Sequence, residues 1–253
     1  MTVLILGAGG FLGLNVTDAL RAARVDVRCG RRARGNVLGL RQRKVAMVEA
    51  DLDLPATLRA AMRGCPTVVH LAGHYPRLSL QPHRSLAVAL SQTRTVLDAA
   101  AAEGVRRLIF VSSTATVVPR AEGLSREADV FTFPPSIGAY HAVKWAMEQQ
   151  VASERRFETA TLCPGACLGP FDWKAGTSAM LWQLRQGGCP PHPDGIVSWV
   201  DVRDVGLAIA RVAMGGPMPR RLLLSAGSLG FHRFVADVAA RYGVPAQPQL
   251  TAD

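Results

Sequence analysis

Six short apolar runs alternate with helical stretches, and they limit the fold of this chain more than any other feature. TVLILG (2–7), VDVRCG (25–30), KVAMVEAD (44–51), TVVHLAG (67–73), RRLIFVSS (106–113) and ETATLCPG (158–165) are apolar on both faces. A strand of that kind needs cover on both sides, which a parallel sheet between two helix layers provides. The intervening stretches at 12–24, 55–64, 84–103 and 139–153 read as helices, the second opened by Pro55 and closed by Gly64. The expected architecture is α/β, a doubly wound parallel sheet. After Gly165 the rhythm loosens. Gly- and Pro-rich loops surround a short helix near 176–187, and IVSWVDVRDVGLAIARVAM reads as strand, turn and helix. RRLLLSAG and a helix at 230–242 follow.

Composition removes several alternatives. Hydrophobic residues make up 49% of the chain and charged residues 19%, as in ordinary globular proteins. No apolar run reaches the roughly 18 residues of a membrane span. MTVLILGAGG is apolar from its start, with no basic leader and no cleavage site, so it reads as a strand and the cytoplasm is the expected compartment. The five cysteines, Cys29, Cys65, Cys163, Cys167 and Cys189, lack the spacing of a zinc site and read as reduced and structural. The six histidines are scattered, and no metal is expected. The net charge of +10 is carried by arginine, for the only lysines are Lys44, Lys144 and Lys174. It favours an anionic ligand or an acidic partner. No stretch interleaves basic and aromatic residues, so nucleic acid is not expected.

Four motifs carry chemistry. GAGGFLG places Gly7, Gly10 and Gly13, with Phe11 and Leu12 between them, where the first strand turns into the first helix. Glycines there let the backbone approach a pyrophosphate, which sits on the N–H groups of the helix start. At the end of the second strand an NAD-selective site wants an acid, whereas a 2′-phosphate wants arginine. The chain offers Arg31 and Arg32, and Asp26 falls too early, so NADP is the expected cofactor. Asp51 ends the third strand within reach of an adenine amino group, with Leu52 against the ring. Leu71, Ala72 and Gly73 leave room for a cofactor at the end of the fourth, while His70 reads as a packed histidine. Finally Ser112, Ser113 and Thr114 bring hydroxyls to the carboxyl edge of the sheet, where such folds bind ligands.

Twenty-seven residues after Ser113, AYHAVK sets Tyr140 and Lys144 four apart on a helix. With the glycine turn, Asp51-Leu52, HLAG, VSST, CPGACLGP and WVDVRDV, this set resembles the short-chain dehydrogenase/reductase superfamily in its extended, epimerase/dehydratase-like branch. It is similar to dihydroflavonol-4-reductase-like reductases and hopanoid-associated sugar epimerases. The resemblance covers nearly the whole chain. It implies a Rossmann core at 1–165, with 166–253 as a substrate-side lobe interwoven with it and short for the family. It also implies that Tyr140 is the general acid/base, that Ser113 holds the substrate oxygen, with Thr114 as the alternative hydroxyl, and that Lys144 lies beneath the tyrosine. A free phenol titrates near 10, and a neighbouring ammonium lowers that value. Lys144 also reaches the nicotinamide ribose. Pro164 and Gly165 wall the nicotinamide, with a backbone group near Cys167 on its carboxamide. Asp204 is expected to cap the helix that follows it.

Two departures from the family stand out. Ala89, in ALSQT, occupies the place of an asparagine, and the chain ends at Asp253, where extended members run further, so a more open pocket is expected. The loop at 74–82 and Phe133, Phe171, Trp173 and Trp182 are pocket-wall candidates read first as ordinary packing. The leading expectation is an NADP(H)-dependent reductase of a secondary-metabolite carbonyl, its substrate small and either free, phosphorylated or tethered to an acidic carrier. The alternatives are a nucleotide-sugar epimerase or dehydratase and a redox-inactive NADP-binding scaffold. A homodimer through the helices around 84–103 and 140–153 is what the resemblance suggests.

Overall fold

The computed structural model describes residues 1–74, 76, 79–173, 176–187 and 195–245. The first strand, β1 (Thr2–Leu6), sends Val3 and Ile5 into one core and Leu4 and Leu6 into another. That division repeats across the sheet, because every strand of its centre is covered on both faces. The remaining strands are β2 (Asp26–Arg31), β3 (Ala46–Glu49), β4 (Thr67–His70), β5 (Arg107–Val111), β6 (Glu158–Pro164) and β9 (Leu222–Leu224). They pair in parallel in the order β3-β2-β1-β4-β5-β6-β9. The order reverses between β1 and β4, the crevice at which doubly wound sheets bind ligands.

On one face α1 (Phe11–Ala22) and α7 (Val202–Ala213) pack together over Val3, Ile5, Val69 and Ile109. On the other lie α3 (Pro55–Met62), α4 (Pro82–Ala102) and α5 (Ala139–Ala152), over Leu4, Leu6, Val68, Leu108 and Phe110. A short α2 (Leu38–Gln42) links β2 to β3 and was not anticipated by the periodicity. A second sheet of three strands, β10-β8-β7, was not foreseen either; it comprises β7 (Ala166–Leu168), β8 (Ile196–Asp201) and β10 (Gly227–Gly230). It carries α6 (Ala179–Arg185) and α8 (Phe231–Tyr242) beside it, which share a small core of Leu184 and Val235.

One expectation is corrected. Asp201, and not Asp204, caps α7: the Asp201 carboxylate accepts from the Arg203 N–H at 2.8 Å. Asp204 sits three residues further on, in the first helical turn, where its charge still favours the helix start. The cap falls earlier because the helix begins directly at the end of β8, leaving no turn between them. Tyr75, Arg77 and Leu78 of the 74–82 loop, together with Lys174 and Cys189, lie outside the described residues.

Candidate active site

The glycine turn is shaped by close backbone approach. Gly7 has φ of +87°, and a Cβ there would lie 3.1 Å from the Ala72 nitrogen, so the ends of β1 and β4 nearly touch. Gly13 sits so close under the turn that a Cβ would fall 2.3 Å from the Gly7 carbonyl oxygen. Gly10, at the N-cap of α1, is different: among the described residues a Cβ there would meet only the Gly7 oxygen, at 3.3 Å. Among the described residues no side chain caps α1, and its first turn holds no acid. Such a bare helix start above a glycine cradle fits a dinucleotide pyrophosphate.

Beside it lies the arginine loop. The Gly35 N–H donates to the Arg32 carbonyl at 2.9 Å, closing a turn, and a Cβ on Gly9 would lie 2.7 Å from the Asn36 oxygen, so turn and loop are in contact. The two arginines differ. Arg31 folds back, its Nη1 donating to the carbonyls of Arg32 and Ala33 at 3.2 and 3.1 Å, while Arg32 is exposed. Asp51 is half-buried and its Oδ1 accepts from the Asp53 N–H at 3.1 Å. Leu52 is buried in the core beside Ala50. Leu71 and Ala72 continue β4 towards the cradle, and the Leu71 N–H donates to the Leu6 carbonyl at 3.0 Å.

At the end of β5 the chain turns sharply. Ser113 is extended (φ −162°, ψ 155°), and its Oγ accepts from the Ala115 N–H at 3.1 Å, opening a 3-10 turn over Thr114–Thr116. The helix α5 packs on it. Tyr140 is half-buried in the first turn of that helix, edge-to-face with His141, and Lys144 follows one turn later on the same face. Lys144 is only 4% exposed. Its Nζ donates to the Val111 carbonyl at 3.0 Å and lies 5.4 Å from the Phe110 ring centre. Desolvation pulls this ammonium down to about 8, against the opposing pull of the Glu148 carboxylate.

Sequence reasoning singled out Ser112 but missed Glu148, Thr116 and Arg221. Glu148 Oε2 accepts from Ser112 Oγ and from Thr116 Oγ1, both at 2.8 Å, and its Oε1 accepts from Arg221 Nε at 2.5 Å. The one local signal for Glu148, its place one turn beyond Lys144 on α5, does not tell a solvated acid from a buried one. Arg221 had none, because only the fold brings it there. Gly165 is pressed against β8, since a Cβ would lie 2.4 Å from the Ser198 oxygen, and Pro164 and Cys167 are buried beside it. Burial lifts the Cys163 and Cys167 thiols to about 12 and Cys29 to about 11, so none of them offers a thiolate. His70 is fully buried and held down to about 3, first by desolvation and then by Lys144. Ala89 is fully buried in the α4 core. Phe171 packs under the Arg43 guanidinium, 4.4 Å away, and Phe133 and Trp182 are exposed. Among the described residues no cluster of three His, Cys, Asp or Glu could hold a metal, and no helix is long and apolar enough to cross a membrane.

A seven-stranded parallel sheet with a glycine turn at its switch point is a Rossmann-type architecture. The sequence profile of the NAD dependent epimerase/dehydratase family matches residues 3–219, and the chain belongs to that family. A Synechocystis protein whose name includes dihydroflavonol 4-reductase is 25% identical over 251 residues, covering 96% of this chain and 73% of that one. Cinnamoyl-CoA reductase 1 of Oryza sativa subsp. japonica is 29% identical over 228 residues, covering 81% of this chain and 65% of the rice protein. Among solved structures, a nucleoside-diphosphate-sugar epimerase from Pseudomonas aeruginosa superposes with a TM-score of 0.85 at 24% identity, over 97% of this chain and 79% of that one. At that identity the likeness is one of fold. The family is enzymatic, with reductases, epimerases and dehydratases among its members, and it works with a nicotinamide cofactor.

Proposed function

We propose that this chain is an NADP(H)-dependent reductase of a carbonyl in a small molecule of secondary metabolism. Arg32 carries the reading: it is exposed on a turn that touches the glycine cradle, where an NAD-selective site would have an acid. Arg32 takes the 2′-phosphate. Arg31 supports its loop through the Arg32 and Ala33 carbonyls. Gly7, Gly10, Phe11, Leu12 and Gly13 receive the pyrophosphate, Asp51 and Leu52 the adenine end, and Leu71, Ala72 and Gly73 leave the space between. Pro164, Gly165 and Cys167 flank the nicotinamide.

Bound NADPH supplies the hydride. Ser113 Oγ, with Thr114 as the alternative, donates to the substrate carbonyl oxygen and polarises it. Tyr140 gives that oxygen its proton. Lys144 holds the developing phenolate by its charge and also donates to the nicotinamide ribose. The net positive charge draws in a substrate that is phosphorylated or tethered to an acidic carrier. A homodimer through α4 and α5 is part of the same reading.

Titration of NADPH and NADH by nicotinamide fluorescence, in wild type and Arg32→Ala, tests it. The variant is expected to lose about 30-fold in NADPH affinity, roughly 2 kcal/mol, and to bind NADH as before. A preference of the wild type for NADH would turn the reading to an epimerase, and binding of neither nucleotide would turn it to a scaffold.

A further inference from the structure

Glu148 and Arg221 form a buried pair, with side chains 4% and 9% exposed, that no step of the proposed reduction uses. An isolated pair of this kind adds little to stability, because desolvating two charges offsets most of their attraction. Its hydrogen bonds, however, converge on one place. One carboxylate oxygen of Glu148 holds Ser112 Oγ and Thr116 Oγ1, the first just before Ser113 and the second at the end of the turn that follows it. The Arg221 Nη2 donates to the same Thr116 hydroxyl at 2.7 Å, and Nη1 donates to the Glu127 carbonyl at 2.9 Å. Arg221 leads straight into β9, whose Leu223 N–H donates to Glu127 Oε1 at 3.3 Å. Glu148 itself stands on α5, one turn past Lys144 and two past Tyr140.

We propose that Glu148 and Arg221 are positioning residues that lock the Ser113-bearing turn onto the helix carrying Tyr140 and Lys144, and register both against the strand entering the C-terminal lobe. The inference rests on the reductase reading for what those residues do, but the lock itself is a property of the turn. It has a second consequence. The groups facing Lys144 are Glu148 from α5, Cys163 from β6 and His70 from β4, with Arg221 beyond Glu148 and Tyr140 one turn earlier on the same helix. Glu148 is the carboxylate of this set, and it holds the ammonium up against desolvation.

The test compares wild type, Glu148→Gln and the double variant Glu148→Leu/Arg221→Met. Replacing a buried pair by apolar side chains of similar size is often neutral for stability, so the double variant keeps the experiment interpretable where the single change unfolds the protein. Hydrogen exchange without cofactor is expected to show amides 115–117 at least about tenfold less protected in both variants, with the double variant melting near the wild-type temperature. In wild type, NADPH affinity is expected to fall as pH rises through about 8, where Lys144 loses its proton. Without Glu148 that fall comes about one pH unit lower. Unchanged protection of 115–117 in the double variant, or a pH profile identical to wild type in both variants, overturns the proposal. Failure of the wild type to bind either nucleotide would defeat the reductase reading instead, and the exchange data would still decide on the lock.

Discussion

His70 is the sharpest case of a residue whose environment decides its role. It is fully buried on β4, its ring centre 5.6 Å from that of Phe110, and neither ring nitrogen finds a hydrogen-bond partner among the described residues. An unfolded histidine titrates near 6.5, whereas burial holds this one down to about 3. Between those values the unfolded chain binds a proton that the folded chain does not, so stability is present above pH 6.5 and is lost as pH falls towards 3. The loss is about 2 to 3 kcal/mol between pH 6.5 and 4.5. His70→Leu is expected to match wild type within about 1 kcal/mol at pH 7.5, having no native hydrogen bond to lose, and to resist acid better. Denaturant melts at several pH values measure this, and parallel curves for the two proteins would refute it. Packing was the reading the apolar strand suggested. Glu148 could not be read in the same way, since a lone acid on a helix looks the same in sequence whether it faces water or a buried arginine.

At the scale of elements, the glycine turn joins two requirements that substitutions can separate. A Cβ at position 13 would collide with the backbone oxygens of Gly7 and Ala8, at 2.3 and 2.6 Å, and backbone cannot swing aside as a side chain can. Gly13→Ala is therefore expected to push α1 off β1 and destabilise the fold by about 2 to 3 kcal/mol. Gly10→Ala meets nothing closer than 3.3 Å, so it is expected to fold within about 1 kcal/mol of wild type while covering the open cradle and weakening NADPH binding at least about tenfold. Thermal melts and nucleotide titration of the two variants, side by side, check this; a stable Gly13→Ala or an unimpaired Gly10→Ala would contradict it. The turn was legible in the sequence because glycine spacing is a local signal, as were the central strands, whose apolar runs state their burial directly. The second sheet was not. β7 has three residues, and β10 reads GSLG, too short and too polar to show a period; tertiary pairing with β8 makes both. The cap of α7 was misread by three positions because Asp201 and Asp204 satisfy the same local preference, and only the end of β8 chooses between them.

Over the whole molecule, the C-terminal third is built into the first core. Val202, Val205, Ile209 and Val212 of α7 are buried in one cluster with Val3 and Ile5, and the helix packs on α1, β4 and β5. Four such side chains contribute roughly 6 to 12 kcal/mol of apolar burial, the same order as the entire stability of a domain. Beyond them, β9 extends the main sheet past β6. Arg107 on β5 ties down the far end of α7, donating to the Val212 and Gly216 carbonyls at 3.2 and 2.6 Å. A chain cut after Gly165 keeps every nucleotide-facing motif up to that point, yet it exposes the α7 face of the sheet and leaves β6 as a bare edge. It is expected to bind hydrophobic dyes, melt without a cooperative transition and show no NADPH binding, while the whole chain unfolds in one transition by both far-ultraviolet and near-ultraviolet circular dichroism. If residues 1–165 melted cooperatively on their own, the C-terminal third would be an appended lobe. The route from β9 through Arg221 and Glu148 to Ser113 would then join two separable units.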